Sequence, residues 1–260
     1  MEKLLKTLEL LFLGTGTSQG IPVIGSEDPV CLSTDLKDKR LRSSIFISDK
    51  DTKIVVDTGP DFRQQMLLNK IDRVNAILYT HEHADHTAGI DDIRPLCGRF
   101  GAMPIYAQAR VILNLETRFS YIFAVENRYE GAPSVVSHII GEADFKVGNL
   151  QIKPIKIGHG AIDILGFRIG DLAYITDAKT IENKEVQKLK GVKILVVNAL
   201  RMASHPTHFN LQEALDFIAE INPTQAYLTH ISHKLGFHEA VQKTLPKSVF
   251  LAYDGLKITI

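Results

Sequence analysis

Tryptophan is absent from the 260 residues, cysteine occurs twice, and neither sign of charge is in excess. Two cysteines, Cys31 and Cys97, are too few for a disulfide framework and fit a reducing compartment. Thirty basic residues balance thirty acidic ones, so no overall field draws the chain to nucleic acid or anionic lipid, although a local basic patch is still allowed. No apolar run approaches the roughly 20 residues needed to span a bilayer. The opening "MEKLLKTLELLFLGTG" has a faint look of a secretion signal, but Lys6 and Glu9 interrupt it and no small-residue cleavage site follows. Leu8 to Leu13 read instead as a buried first strand. Serine- and glycine-rich linkers, low-complexity tracts and short-period repeats are also missing. What is left is a cytoplasmic globular chain, read as one domain over residues 1–260. Its apolar fraction of 45% is ordinary for a protein that buries a large core.

Short β-rich runs bounded by Gly, Asp and Pro recur throughout. They include "TLELLFLG", "SSIFIS", "KIVVDTG" and "VNAILYTH" in the first half, then "LQIKPIKIGH", "ILGFRIG", "LAYITDA", "VKILVVNA", "QAYLTHIS" and "SVFLAYDG". Helical periodicity marks "DFRQQMLLNKI", "RVILNLETRFSYIFAV", "TIENKEVQKLK" and "NLQEALDFIAEI". Asn210 reads as the N-cap of the last of these, and Asn222-Pro223 as its stop. Alternating strands and helices imply sheets covered by helices. The stretch from Arg110 to Ile139 is the least sheet-like and reads as a helical excursion or a plain packed helix.

The chemistry concentrates in "LYTHEHADHTAGIDD", Leu78 to Asp92. Side chains two apart in an extended loop share a face, so His81 and His83 point together and can hold one cation. Asp85 and His86 follow as a second pair. A solvated polar loop is the bland alternative, but three histidines in six residues make chance a poor explanation. One loop cannot complete two coordination shells. His159, Asp177 and His230 each end an apolar strand and are the candidates to complete them, since sheet enzymes gather their sites at strand carboxyl ends. Asp177 is the carboxylate suited to bridge two cations.

"THEHADH" resembles the His-x-His-x-Asp-His signature of the metallo-β-lactamase superfamily, and His159, Asp177 and His230 match its later metal motifs. The resemblance covers essentially the whole chain and implies an αββα four-layer sandwich with a binuclear site at one edge. It implies one metal on His81, His83 and His159, a second on Asp85, His86 and His230, and Asp177 bridging both. "VVDTG" is similar to the motif whose aspartate, here Asp57, supports the metal loops without binding metal. "LGTGTSQGIPVIG", "DKRLRSS", "GIDDIRPL", "SHPTHFNLQEAL" and "LAYDGL" together resemble the phosphoribosyl 1,2-cyclic phosphate phosphodiesterase group, a relative of the tRNA 3′-processing endonucleases. That resemblance implies hydrolysis of a small, cyclic phosphodiester by a metal-bridging hydroxide. His208 becomes the general acid, with His205 a competitor, and Asp85 counts as both ligand and catalytic group.

The phosphodiesterase group carries a structural zinc on a Cys-x-Cys-x-x-Cys loop and a later histidine. Ser26, Asp28, Cys31 and His233 stand at those positions here, and loss of two thiolates predicts a weak or lost structural zinc. The His/Asp donors suit Zn, Mn or Fe, with Zn or Mn favoured. Arg42, Arg94 and Lys179 are candidate phosphate contacts, and the Gly14–Gly20 loop a weak phosphate cradle without a Walker lysine. A small phosphodiester is the expected partner, with no membrane, little case for nucleic acid, and a homodimer reasonable by resemblance. The competing readings are a tRNA 3′-processing endonuclease, a thioesterase or lactamase of the same superfamily, and a metal-loaded sensor without turnover.

Overall fold

The computed structural model describes residues 7–126 and 128–260; the charged start of the signal-like stretch, residues 1–6, lies outside them. In chain order the strands are β1 (Glu9–Gly14), β2 (Ser44–Ser48), β3 (Lys53–Val56), β4 (Ala76–Leu78), β5 (Met103–Ala107) and β6 (Val135–Ile139). They continue as β7 (Phe145–Val147), β8 (Leu150–His159), β9 (Ile162–Ile169), β10 (Leu172–Ile175), β11 (Ile194–Asn198), β12 (Gln225–Thr229), β13 (Val249–Leu251) and β14 (Lys257–Thr259). Two seven-stranded sheets result, β14-β1-β2-β3-β4-β5-β6 and β13-β12-β11-β10-β9-β8-β7. Each is antiparallel at one side and parallel at the other: β3 to β6 run parallel in the first, β10 to β13 in the second.

Both faces of each sheet are covered, so the strands are apolar on both sides of the pleat. Leu10, Phe12, Ile54 and Val56 of the first sheet pack on Ile152, Phe167, Tyr174 and Val196 of the second. The alternate residues Leu11, Leu13 and Val55 face outward, under Phe62, Met66, Leu96, Val111 and Leu115 from the helices at 62–68, 94–100 and 109–118. On the opposite outer face Ala173, Ile175, Leu195 and Val197 lie beneath Val186, Leu189, Phe217 and Ile221 from the helices at 183–189 and 211–221. This is the αββα layering expected from the sequence. No helix among the described residues is long and apolar enough to cross a membrane.

Helix 211–221 starts on a full capping box, Asn210 accepting from Glu213 N while the Glu213 carboxylate accepts from Asn210 N. It stops at left-handed Asn222. In the stretch from Arg110 to Ile139 helix 109–118 packs into the outer layer, the second of the two readings, and the departure from expectation is Val135–Ile139, a strand at the edge of the first sheet. Its exposed positions alternate irregularly, as befits an edge strand paired on one side, which is why its sequence did not read as a strand.

Candidate metal centre

β3 and β4 are parallel, and β8, β10 and β12 share one direction within the second sheet. Asp57 and the loop from Thr80 to His86 leave the ends of β3 and β4, His159 ends β8, and Asp177 and His230 follow β10 and β12. Asp57 (φ 66°), Asp177 (φ 57°) and His230 (φ 53°) all adopt the left-handed conformation. Such a residue turns the chain sharply at the strand end and costs on the order of 1–2 kcal/mol, which the surrounding contacts must outweigh. The loops approach so closely that two positions admit only glycine. A Cβ on Gly59 would lie 2.2 Å from the Asp85 carbonyl oxygen, and one on Gly89 would lie 2.1 Å from that of Gly59.

Asp57 is fully buried and organises the floor. Its carboxylate accepts from Thr80 N (2.9 Å), Thr80 Oγ1 (2.8 Å) and His86 Nδ1 (2.7 Å). Because the Thr80 hydroxyl donates to Asp57, its oxygen accepts from His81 Nδ1 at 2.9 Å. His159 Nδ1 donates to the Asp177 carbonyl at 2.8 Å. In all three rings the Nδ1 proton is committed, so Nε2 is the nitrogen presented to the cleft.

Four overlapping sets place their ligand atoms within 4.8 Å of one another: His81, His83 and His159; His81, His86 and Asp177; Asp85, His86 and His230; His159, Asp177 and His208. The seven residues marked in the sequence as ligands therefore converge, although they span about 150 positions. His230 Nε2 stands 3.1 Å from Asp177 Oδ1, and His86 Nε2 lies 3.2 Å from Asp85 Oδ2 and 3.3 Å from Asp177 Oδ2. His208 Nε2 donates to Asp177 Oδ1 at 2.9 Å and its Nδ1 accepts from Thr207 Oγ1 at 2.8 Å. His205 is one layer back, its Nδ1 3.2 Å from His208 Nδ1.

Burial works against the charge of His86, but Asp85, Asp177 and Asp57 outweigh it and hold the imidazole protonated well above the ordinary histidine range. Burial likewise opposes ionisation of Asp177, yet His230 and His86 keep its carboxyl well below the usual range. Burial, reinforced by His86, pushes His81 well below its usual value. His208 falls to about 4 through burial, against the pull of Asp177. The cleft thus packs positive and negative groups that need one another. His86 Nε2 and both ring nitrogens of His230 are buried with no hydrogen-bond partner. An orphaned buried donor or acceptor costs about 1–3 kcal/mol, and a divalent cation is the ligand these mixed imidazole and carboxylate donors fit.

The other marked residues are occupied elsewhere. Arg42 pairs with Asp61 (2.9 Å), Arg94 with Asp91 (2.8 Å) and Lys179 with Glu213 (2.7 Å). In the glycine-rich loop Gly16 N donates to Leu41 O, Thr17 N to Ile231 O and Gly20 N to Thr17 O, so these amides face protein. Asp28 caps the short helix 29–32, accepting from Val30 N, and Ser26 Oγ accepts from Asp28 N. Cys31 is buried with Ile21 and Val30. Among the described residues Asp28, Cys31 and His233 form no set of three close ligand atoms. Thr80, Thr207 and Asn198 were not singled out in the sequence. Adjacency to a ligand was the available signal for Thr80 and Thr207; Asn198 had none.

A relative from Porphyromonas gingivalis named octanoyltransferase is 38% identical over 256 residues, 97% of this chain. The chain spans about half of that protein, 52% of its length. The crystal structure of a diphosphatase from the PhnP family superposes with a TM-score of 0.92 at 37% identity, covering 98% of this chain and 97% of that one. The short form of human tRNase Z shares the fold, with a TM-score of 0.67 at 19% identity over 96% of this chain and 98% of its own. The family model described as the β-lactamase superfamily domain matches residues 52–231, which include every ligand-set residue, and the chain accordingly belongs to that superfamily, the metal-dependent hydrolases of the metallo-β-lactamase fold.

Proposed function

We propose that the chain is a two-cation phosphodiesterase acting on a small, cyclic phosphodiester of the phosphoribosyl 1,2-cyclic phosphate type. The observation that carries this reading is the pair of three-donor sets, His81/His83/His159 and Asp85/His86/His230, with Asp177 within reach of both and His208 beside it. Divalent cations held by these donors would supply Lewis acidity towards phosphoryl oxygens and acidify water towards neutrality. Thr80, Asp57 and the Asp177 carbonyl orient the imidazoles through their Nδ1 protons. A His208 protonated on both ring nitrogens, its Nδ1–H turned to Thr207 Oγ1, would pass the Nε2 proton that faces Asp177 to a departing sugar oxygen and be left as the neutral imidazole.

The PhnP-family diphosphatase favours a second reading, cleavage of a P–O–P bond, since an anhydride and a diester present the same phosphoryl group between two oxygens. Acyl transfer is less well supported. The octanoyltransferase name belongs to a relative about half of which lies outside the match, and both cysteines stand apart from the donor sets.

A panel of a ribose cyclic phosphodiester, bis(p-nitrophenyl) phosphate, a dinucleoside diphosphate, an octanoyl thioester and precursor tRNA separates these reactions. Turnover of the cyclic diester, abolished by chelation, is the expected result; turnover of the thioester alone would overturn the proposal. His208→Ala should keep both metals and lose about 10²- to 10⁴-fold in kcat. Normal turnover in that variant would remove His208 from the role.

A further inference from the structure

Asp57, Asp177 and His230 are each followed by a residue whose amide and carbonyl are both held from outside. Thr58 N donates to His86 O (2.8 Å) while Thr58 O accepts from Gly89 N (2.9 Å). Ile231 N donates to Thr15 O (2.9 Å) while Ile231 O accepts from Thr17 N (3.0 Å). At both places the grip is backbone. Ala178, after Asp177, is gripped by a side chain: its N–H donates to Asn198 Oδ1 (2.7 Å) and its carbonyl accepts from Asn198 Nδ2 (3.1 Å).

We propose that Asn198 is the positioning residue of the centre, its side-chain amide locking Ala178 and thereby holding Asp177 in the left-handed conformation that aims its carboxylate between the two donor sets. This inference rests on the reading of Asp177 as the shared ligand. The ladder between β10 and β11 pairs Ile175 with Val197 and stops there, because β10 turns away at Thr176 and Asp177. Asn198 is the next residue of β11, fully buried, and its amide presents a carbonyl oxygen and an NH2 donor in the spacing of a peptide group. It acts as a one-residue continuation of the ladder.

The same residue ties the other loops together. Its backbone pairs with Thr229, the residue before His230. The Ala178 carbonyl also accepts from Phe209 N at 2.7 Å, directly after His208. Asn198 therefore links the segments carrying Asp177, His208 and His230. No other side chain of its size serves. Aspartate keeps the acceptor but sets a buried charge against the Ala178 carbonyl, glutamine is a methylene too long, and alanine strands the Ala178 N–H.

Crystal structures of metal-free Asn198→Asp and Asn198→Ala protein test this without metal or turnover. The expected outcome is an Asp177 φ outside the left-handed region and a carboxylate withdrawn from His230. Asn198→Asp nearly matches the native shape and retains the Ala178 N–H acceptor, so it provides the answer if the alanine variant does not fold. Cobalt(II) titration of the same variants should show both sites weakened, by about 10- to 100-fold, with an altered visible spectrum. On any ester the wild type hydrolyses, kcat should fall while KM stays near its original value. An unchanged Asp177 conformation in Asn198→Asp overturns the proposal. Failure of the wild type to bind cobalt or to cleave any phosphate ester would instead defeat the functional reading and leave the φ measurement intact.

Discussion

Replacing Asp57 by alanine removes the acceptor for three donors at once, and none of them has water to turn to. Asp57, Thr80 and His86 are each 0% exposed. The Thr80 amide and the His86 Nδ1–H are geometrically fixed and would be left unsatisfied, and the Thr80 hydroxyl would have to find another acceptor. Two or three stranded groups at about 1–3 kcal/mol each give roughly 2–9 kcal/mol. Alanine at the left-handed φ of 66° adds about 1–2 kcal/mol that aspartate tolerates better. The total is comparable with the whole stability of an ordinary domain, about 5–15 kcal/mol. Asp57→Ala should therefore be largely unfolded or recovered in very low yield. Asp57→Asn keeps the shape and the left-handed tolerance, but one of its two polar ends must face a donor, so a loss of about 1–3 kcal/mol is expected. Denaturant unfolding of metal-free wild type, Asn and Ala variants gives the series directly. An Ala variant within about 1 kcal/mol of wild type would refute the argument, since the buried donors would then have found partners the structure does not contain.

Two other outcomes are expected. Gly59→Ala drives a Cβ to 2.2 Å from the Asp85 carbonyl oxygen; both atoms are backbone-bound, so the strain should cost about 1–3 kcal/mol and lower the melting temperature by several degrees, and an unchanged transition would sink this reading of the loop contact. Asp254 accepts from Thr15 Oγ1 and Leu41 N beside the buried Arg40, and burial raises its carboxyl to about 6 from 3.8. A raised carboxyl binds its proton more tightly when folded, so its contribution is fully present below pH 3.8 and is lost as pH rises through about 6. That shift is worth at most about 3 kcal/mol. Measured by denaturation of metal-free protein, the stability of wild type relative to Asp254→Asn should fall between pH 4 and 6, and a difference that stays constant across that window contradicts the assignment.

Much of the fold is visible in local patterns because both sheets are buried on two faces and leave long apolar runs. Ten strands and the four longer helical stretches announce themselves this way. β5, β6, β7 and β14 do not: "MPIYA" begins on a Met-Pro pair, β6 has exposed apolar positions, and β7 and β14 are edge strands of only three residues, β14 paired with the distant β1. Helix 94–100 holds a proline at its start and Gly98 inside, which mask its period.

By itself the sequence specified the candidate donors. "HEHADH" can present two pairs of ligands from one loop, and an apolar run ending in His or Asp places that side chain at a strand terminus. Residue type and spacing are local properties, so they can be read along the chain. Only the tertiary structure decided which donors share an edge, that His208 and not His205 touches Asp177, and that Arg42, Arg94 and Lys179 are bound to carboxylates. It alone revealed Asn198, whose importance lies in contacts with Ala178, 20 positions away in sequence. At Asp57, Asp177 and His230 the left-handed φ is followed by a residue hydrogen-bonded to other segments, and no property of those residues taken singly requires it.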